Sequence, residues 1–131
     1  MVQTLNDVAY LYNEIFKDEQ LLTRLDGGHI LYRHTGTHHY KQLHKTLPGG
    51  RAVRSRAHQI VLLKKINSVS LPVGCEASHL CHIKDCVAED HITAEPHNIN
   101  MERFHCADER LCRQDPTFCR GHGQYPRCIG M

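Results

Sequence analysis

The chain has 131 residues, with seven Cys, twelve His, no Trp and few other aromatics, which suits one domain whose weakly apolar stretches need staples. No apolar run is long enough to span a bilayer, residues 1–6 carry no leader-like pattern, and an odd number of Cys mixed with His at short spacings disfavours a disulfide framework; zinc sites and an intracellular chain are expected. The net charge of +2 hides a segregation: five acids against Lys17 and Arg24 in residues 1–26, then Arg33, Lys41, Lys45, Arg51, Arg54, Arg56, Lys64 and Lys65 without any acid in residues 27–67, the footprint of either a polyanion-binding surface or a solvated face.

In chain order, residues 5–24 read as a helix capped by Asn6 or Asp7, because Val8, Leu11, Tyr12, Ile15 and Phe16 recur at helical spacing. Asp26-Gly27-Gly28 ends it. Residues 29–44 alternate imperfectly about Gly36 and fit a short antiparallel hairpin. Pro48-Gly49-Gly50 is a break. Residues 52–66, with Val53, Ala57, Ile60, Val61 and Leu63, suit a helix slightly better than a strand. Beyond Leu71-Pro72-Val73-Gly74, residues 77–80 read as a strand, 81–90 as a ligand-bearing turn, 91–95 as the returning strand, and 97 to about 104 as a helix opened by Pro96. From Cys106 onward there is no periodicity, so apolar burial alone does not hold the tail.

Cys81-x4-Cys86-x4-His91 supplies three zinc-type ligands within eleven residues, and zinc takes four in tetrahedral array. Cys75, His39 and His38 are the candidates for the fourth. In the tail, Cys106, Cys119, His122 and Cys128 make a second closed set, with Cys112 as a spare that could replace Cys119. Metal would supply most of the tail's folding free energy, on the order of 10 kcal/mol. His79 sits two residues before the first ligand. A neutral imidazole there can take a proton from water, or it is itself a ligand or a satisfied core histidine. Asn100 offers an amide oxygen to a hard cation such as magnesium, with Asn98 as its competitor and a capping role as the bland alternative.

The run Cys75-x-Ala-Ser-His79-Leu-Cys81-His82-x3-Cys86-x4-His91, followed by Asn100 and the Cys/His tail, resembles the His-Cys box homing endonucleases of the ββα-metal (His-Me finger) nucleases. The resemblance covers roughly residues 74–128, with a weaker echo at Gly36-Thr37-His38-His39-Tyr40 that favours His39 as the fourth ligand of the first zinc. It implies an α+β fold: a small zinc-stabilised ββα-metal nuclease core with an antiparallel hairpin or sheet, an N-terminal helix and a loop-rich zinc-bound tail. The implied organisation is one domain over residues 1–131, with the helix in 1–26, a basic DNA-contacting segment in 27–70, the core and first zinc site in 71–105 and the second zinc-bound tail in 106–131.

The same resemblance implies two structural zinc ions and one catalytic magnesium. His79 would be the general base and Asn100 the magnesium ligand, and Arg51, with Arg54 or Arg56 close behind, would steady the scissile phosphate. Cleavage would leave a 5′ phosphate and a 3′ hydroxyl. The implied partner is double-stranded DNA, in the nucleus, which Arg33, Lys41, Lys45, Arg51, Arg54 and Arg56 would contact on a two-stranded ribbon that fits a major groove. The family's dimers use a C-terminal extension. Only three residues follow Cys128, so a homodimer is an open expectation. A catalytically inactive zinc module binding nucleic acid or protein within a larger assembly is the alternative; it would keep the zinc ligands and have no need of His79 or Asn100.

Overall fold

The computed structural model describes residues 2–32, 42–109, 115–116 and 119–129. Helix α1 (Leu5–Phe16) is opened by Thr4, whose side chain accepts from the Asp7 N–H while the Asp7 carboxylate accepts from the Thr4 N–H, a reciprocal capping box. Val8, Leu11 and Ile15 are fully buried on its inner face, and Tyr12 and Phe16 pack ring to ring at 4.8 Å. The helix stops well short of residue 24. Asp18 leaves the helical region and caps a single 3-10 turn at Glu19–Leu21, which releases Leu22–Arg24 as strand β1.

Strand β1 (Leu22–Arg24) pairs antiparallel with β2 (Ile30–Tyr32). Between them Gly27 and Gly28 adopt φ near +80°, a conformation open to glycine without strain. The described ends of the hairpin expected within residues 29–44 pair elsewhere: β2 with β1, and β3 (Gln42–Thr46) with β4 (Ala52–Arg56) across the Pro48-Gly49-Gly50 turn. Gly36 and the residues around it lie outside the described residues.

Residues 52–66 divide at Arg56 into β4 and helix α2 (Ala57–Ile66). The β4 half alternates, with Val53 buried between exposed Ala52 and Arg54, and the α2 half buries Ala57, His58, Ile60, Val61, Leu62 and Leu63. Asn67 closes α2 in the left-handed region. Strands β5 (Cys75–His79) and β6 (Ile92–Pro96) then pair in register from Cys75 opposite Pro96 to His79 opposite Ile92, and helix α3 (His97–Glu109) follows directly. Residues from α1, α2 and the three hairpins form one core, with Leu11, Ile15, Ile60, Val61 and Ile92 at its centre.

Among the described residues the fold is a small α+β structure of three helices and three antiparallel strand pairs. Its β5–β6–α3 unit carries two Cys/His clusters, one in the β5–β6 loop and one where α3 meets the tail, the arrangement of a zinc-bound ββα-metal core. No helix among the described residues is long and apolar enough to cross a membrane.

Candidate active site and metal centres

The β5–β6 loop is stitched to β2. The Val87 N–H donates to the Ile30 carbonyl at 2.7 Å and the Tyr32 N–H to the Asp85 carbonyl at 2.9 Å. This pairing carries His29, just ahead of β2, to the loop. The ligand atoms of His29, Cys81, Cys86 and His91 all lie within 4.8 Å of one another, and all four residues are buried. His91 presents Nδ1 to the Cys86 sulfur at 3.6 Å, and its ring meets that of His29 edge to face. The Nδ1 of His29 is buried with no hydrogen-bond partner, as a nitrogen reserved for a cation would be.

The two thiols titrate against each other. Cys86 is held well below its ordinary value by the hydrogen bond from Cys81 and by backbone N–H groups of Ala88 and Ile30, against its burial. The same contact and burial push Cys81 up. A dication lets both ionise, so the donor set fits zinc. Among the described residues His29 completes the set of four; His39 and His38, the sequence candidates, lie outside the described residues, and Cys75 stands at the far end of β5.

The second cluster joins Cys106 of α3 with Cys119, His122 and Cys128 of the tail, again buried and within 4.8 Å of one another. His122 turns Nε2 to the Cys119 and Cys128 sulfurs at 3.4 and 3.3 Å. Its Nδ1 faces the Glu102 carboxylate at 3.2 Å, a pairing that fixes the tautomer of a metal-binding histidine. The Cys128 N–H donates to the Cys119 sulfur at 3.3 Å, and such bonds favour the thiolate. The two buried clusters could hold two zinc ions. These are the four tail residues named from the sequence; Cys112 lies outside the described residues.

Between the clusters, His79 and Asn100 line one cavity of about 20 Å³ with His82, Lys84, Arg103 and Phe104, room for a single water-sized species. His79, 8% exposed, donates from Nε2 to the Cys86 carbonyl at 2.9 Å. That bond sets the tautomer, so Nδ1 is the basic nitrogen of the neutral ring. Burial pushes His79 below its ordinary value, opposed by the hydrogen bond to Cys86. Its ring packs on that of His58 from α2. Asn100, on the first turns of α3, donates from Nδ2 to Glu76 of β5 at 2.5 Å.

The basic residues divide. Arg54 and Arg56 are on the exposed face of the β3–β4 ribbon, with His44 opposite Arg54. Arg56 also lines a second cavity, about 350 Å³, with His58, Glu76, His97 and Asn100. Arg51 is instead held by Asp7 of α1 at 2.6 Å, and Lys45 points from the other face of the ribbon, close enough to influence Glu14. Arg33 and Lys41 lie outside the described residues.

Sequence reasoning missed His29, His58 and Glu76. The only local signal for His29 is the apolar triplet Ile30-Leu31-Tyr32 behind it, which marks a strand but not its partner. Comparison with curated proteins and with solved structures gives no match. The family model described as the zinc-binding loop region of homing endonuclease matches residues 27–131.

Proposed function

The chain belongs to the homing-endonuclease family defined by that zinc-binding loop region, a family of DNA-binding nucleases, and on that premise we propose that it is a magnesium-dependent DNA endonuclease with His79 as general base and Asn100 as the metal ligand. The observation that carries this reading is the shared cavity of His79 and Asn100. An imidazole of fixed tautomer, kept neutral by burial, takes the proton of an attacking water at Nδ1 as the water adds to phosphorus. The Cys86 carbonyl holds the ring while it becomes charged. Magnesium held through the Asn100 oxygen would neutralise charge on the phosphate and on the leaving 3′ oxygen. Arg56, bordering the adjoining cavity with Asn100, adds a fixed positive charge for the non-bridging oxygens; Arg51 is turned to Asp7 and takes a structural role. The products are a 5′ phosphate and a 3′ hydroxyl.

The exposed ribbon face with His44, Arg54 and Arg56 is the surface offered to the DNA backbone and groove. The zinc clusters are structural, closing the β5–β6 loop and fastening the tail to α3. The test is incubation of the zinc-loaded protein with supercoiled plasmid and genomic DNA, with and without magnesium. Magnesium-dependent nicking or linearisation, lost by a factor of about 10²–10⁴ in His79→Ala with DNA binding retained, is the expected result. DNA binding without cleavage under every divalent ion would instead leave the chain as a zinc-held binding module.

A further inference from the structure

The register of β5 with β6 sets Glu76 directly opposite Glu95, so two carboxylates share the face that α3 covers. Like charges facing each other across a strand pair are destabilising unless each is engaged elsewhere. Glu95 is engaged by Arg103, at 2.6 and 2.8 Å. Among the described residues no arginine or lysine pairs with Glu76 in that way. Its Oε1 accepts from Nδ2 of Asn100 at 2.5 Å, and both its oxygens approach Nδ1 of His97, at 3.1 and 3.2 Å. His97 and Asn100 stand three residues apart on one face of α3, and Asn100 and Arg103 are three apart again. The strand pair thus grips α3 through successive turns, once at the buried arginine and once at the amide.

We propose that Glu76 is a positioning residue that fixes the orientation of the Asn100 amide. A side-chain amide has a donor end and an acceptor end, and the two exchange when the group turns over. A carboxylate accepts hydrogen bonds and donates none, so Glu76 engages only the Nδ2 end. The acceptor Oδ1 is then the atom left to meet a hard cation. Without Glu76 the amide turns between two states, of which one offers N–H groups that repel the cation. His97 holds the Glu76 carboxylate from its other side, and Cys75, the neighbour of Glu76 on β5, borders the same 350 Å³ cavity. The inference rests on the proposed role of Asn100 as metal ligand.

Two variants separate this role from direct ligation. Glu76→Gln keeps a carbonyl oxygen able to accept from Asn100 Nδ2 but removes the charge; Glu76→Ala removes both. In the zinc-loaded, ¹⁵N-labelled full chain, the Asn100 side-chain amide is identified by its disappearance in Asn100→Ala. It is expected to exchange with solvent about tenfold more slowly than exposed asparagine amides, to lose that protection in Glu76→Ala and to keep it in Glu76→Gln. In plasmid cleavage, Glu76→Ala is expected to raise the half-saturating magnesium concentration about tenfold with unchanged DNA affinity, while Glu76→Gln keeps the wild-type requirement. An Asn100 amide indifferent to Glu76→Ala overturns the proposal. So does an equal loss of magnesium affinity in both variants, which would make Glu76 a direct ligand. If the wild type cleaves no DNA and yet the amide follows Glu76 as described, the nuclease reading fails and the positioning role stands.

Discussion

The imidazole of His58 lies against that of His79, with ring centroids 4.6 Å apart and planes tilted by 34°. One ring comes from the first turn of α2 and the other from the last residue of β5, so the contact fixes the position of the proposed base relative to the helical core. Neither nitrogen pair can be charged at little cost here. Burial, then the neighbouring His79 and Arg56, push His58 down to about 3, and a hydrogen bond to the Ala77 backbone opposes them only in part.

That depression has a measurable sign. In the unfolded chain His58 titrates near 6.5. Between that pH and about 3 the unfolded chain therefore carries a proton that the folded chain does not, and stability falls as the pH falls through this window. Denaturant unfolding of zinc-saturated protein is expected to show the wild type losing about 1 kcal/mol more between pH 6.5 and 5.5 than a His58→Phe variant, which keeps a ring on His79 and has nothing to protonate. Equal losses would mean that His58 takes up a proton in the native state.

Arg51, just before β4, and Arg56, its last residue, should separate function from stability. Arg56→Ala is expected to reduce cleavage by about 10²–10³, as removal of a transition-state charge does elsewhere, with the unfolding midpoint nearly unchanged. Arg51→Ala breaks a partly exposed ion pair to Asp7 and is expected to cost at most about 1 kcal/mol of stability while cleavage continues. Single-turnover rates beside thermal unfolding of both variants decide it; the reverse pattern would return the phosphate contact to Arg51.

How far the residues alone reach is set by the distance over which each feature is decided. The apolar stripe Val8, Leu11, Ile15 is local and legible, as are the tail cluster and the triplet Cys81, Cys86, His91, because ligand spacing within a turn is written in the chain. The end of α1 was not, since Asp18 caps a new turn while Leu22–Arg24 is drawn off by a partner strand six residues on. Hairpin partners escaped for the same reason: Leu43 faces Ser55 across the Pro48-Gly49-Gly50 break, and alternation within one strand carries no record of its mate. His29 reaches the first cluster only through the pairing of Ile30 with Val87, and Arg51 and Arg56 are told apart only by what α1 and α3 bring beside them.

Zinc content tests the first cluster directly. Elemental analysis of the full chain is expected to give about two zinc ions, from two sets of four ligands. His29→Ala is expected to lower this to about one, or to weaken retention against a chelator by more than tenfold, since an open tetrahedral position exposes the metal to competing ligands. His39→Ala is expected to keep both ions. Loss of zinc from His39→Ala with none from His29→Ala would move the fourth ligand to residue 39.

The Glu95–Arg103 pair is the remaining joint between the strands, α3 and the tail. Arg103 is 1% exposed and Glu95 is fully buried. The guanidinium grips Glu95, donates to the Pro126 carbonyl at 2.7 Å and reaches the Cys128 sulfur at 3.5 Å. Removing one partner strands the other as a buried, unpaired charge, so Glu95→Ala is expected to cost about 3–5 kcal/mol. The double substitution Glu95→Leu with Arg103→Met removes both charges, and by that argument costs less than Glu95→Ala alone. It also deletes the contact to Cys128, so the double variant is expected to release its tail zinc to a chelator faster than wild type even where its unfolding midpoint is restored. Urea unfolding and chelator kinetics on the same samples measure both. A double variant that is restored in stability and unchanged in zinc release would reduce Arg103 to a partner of Glu95 alone.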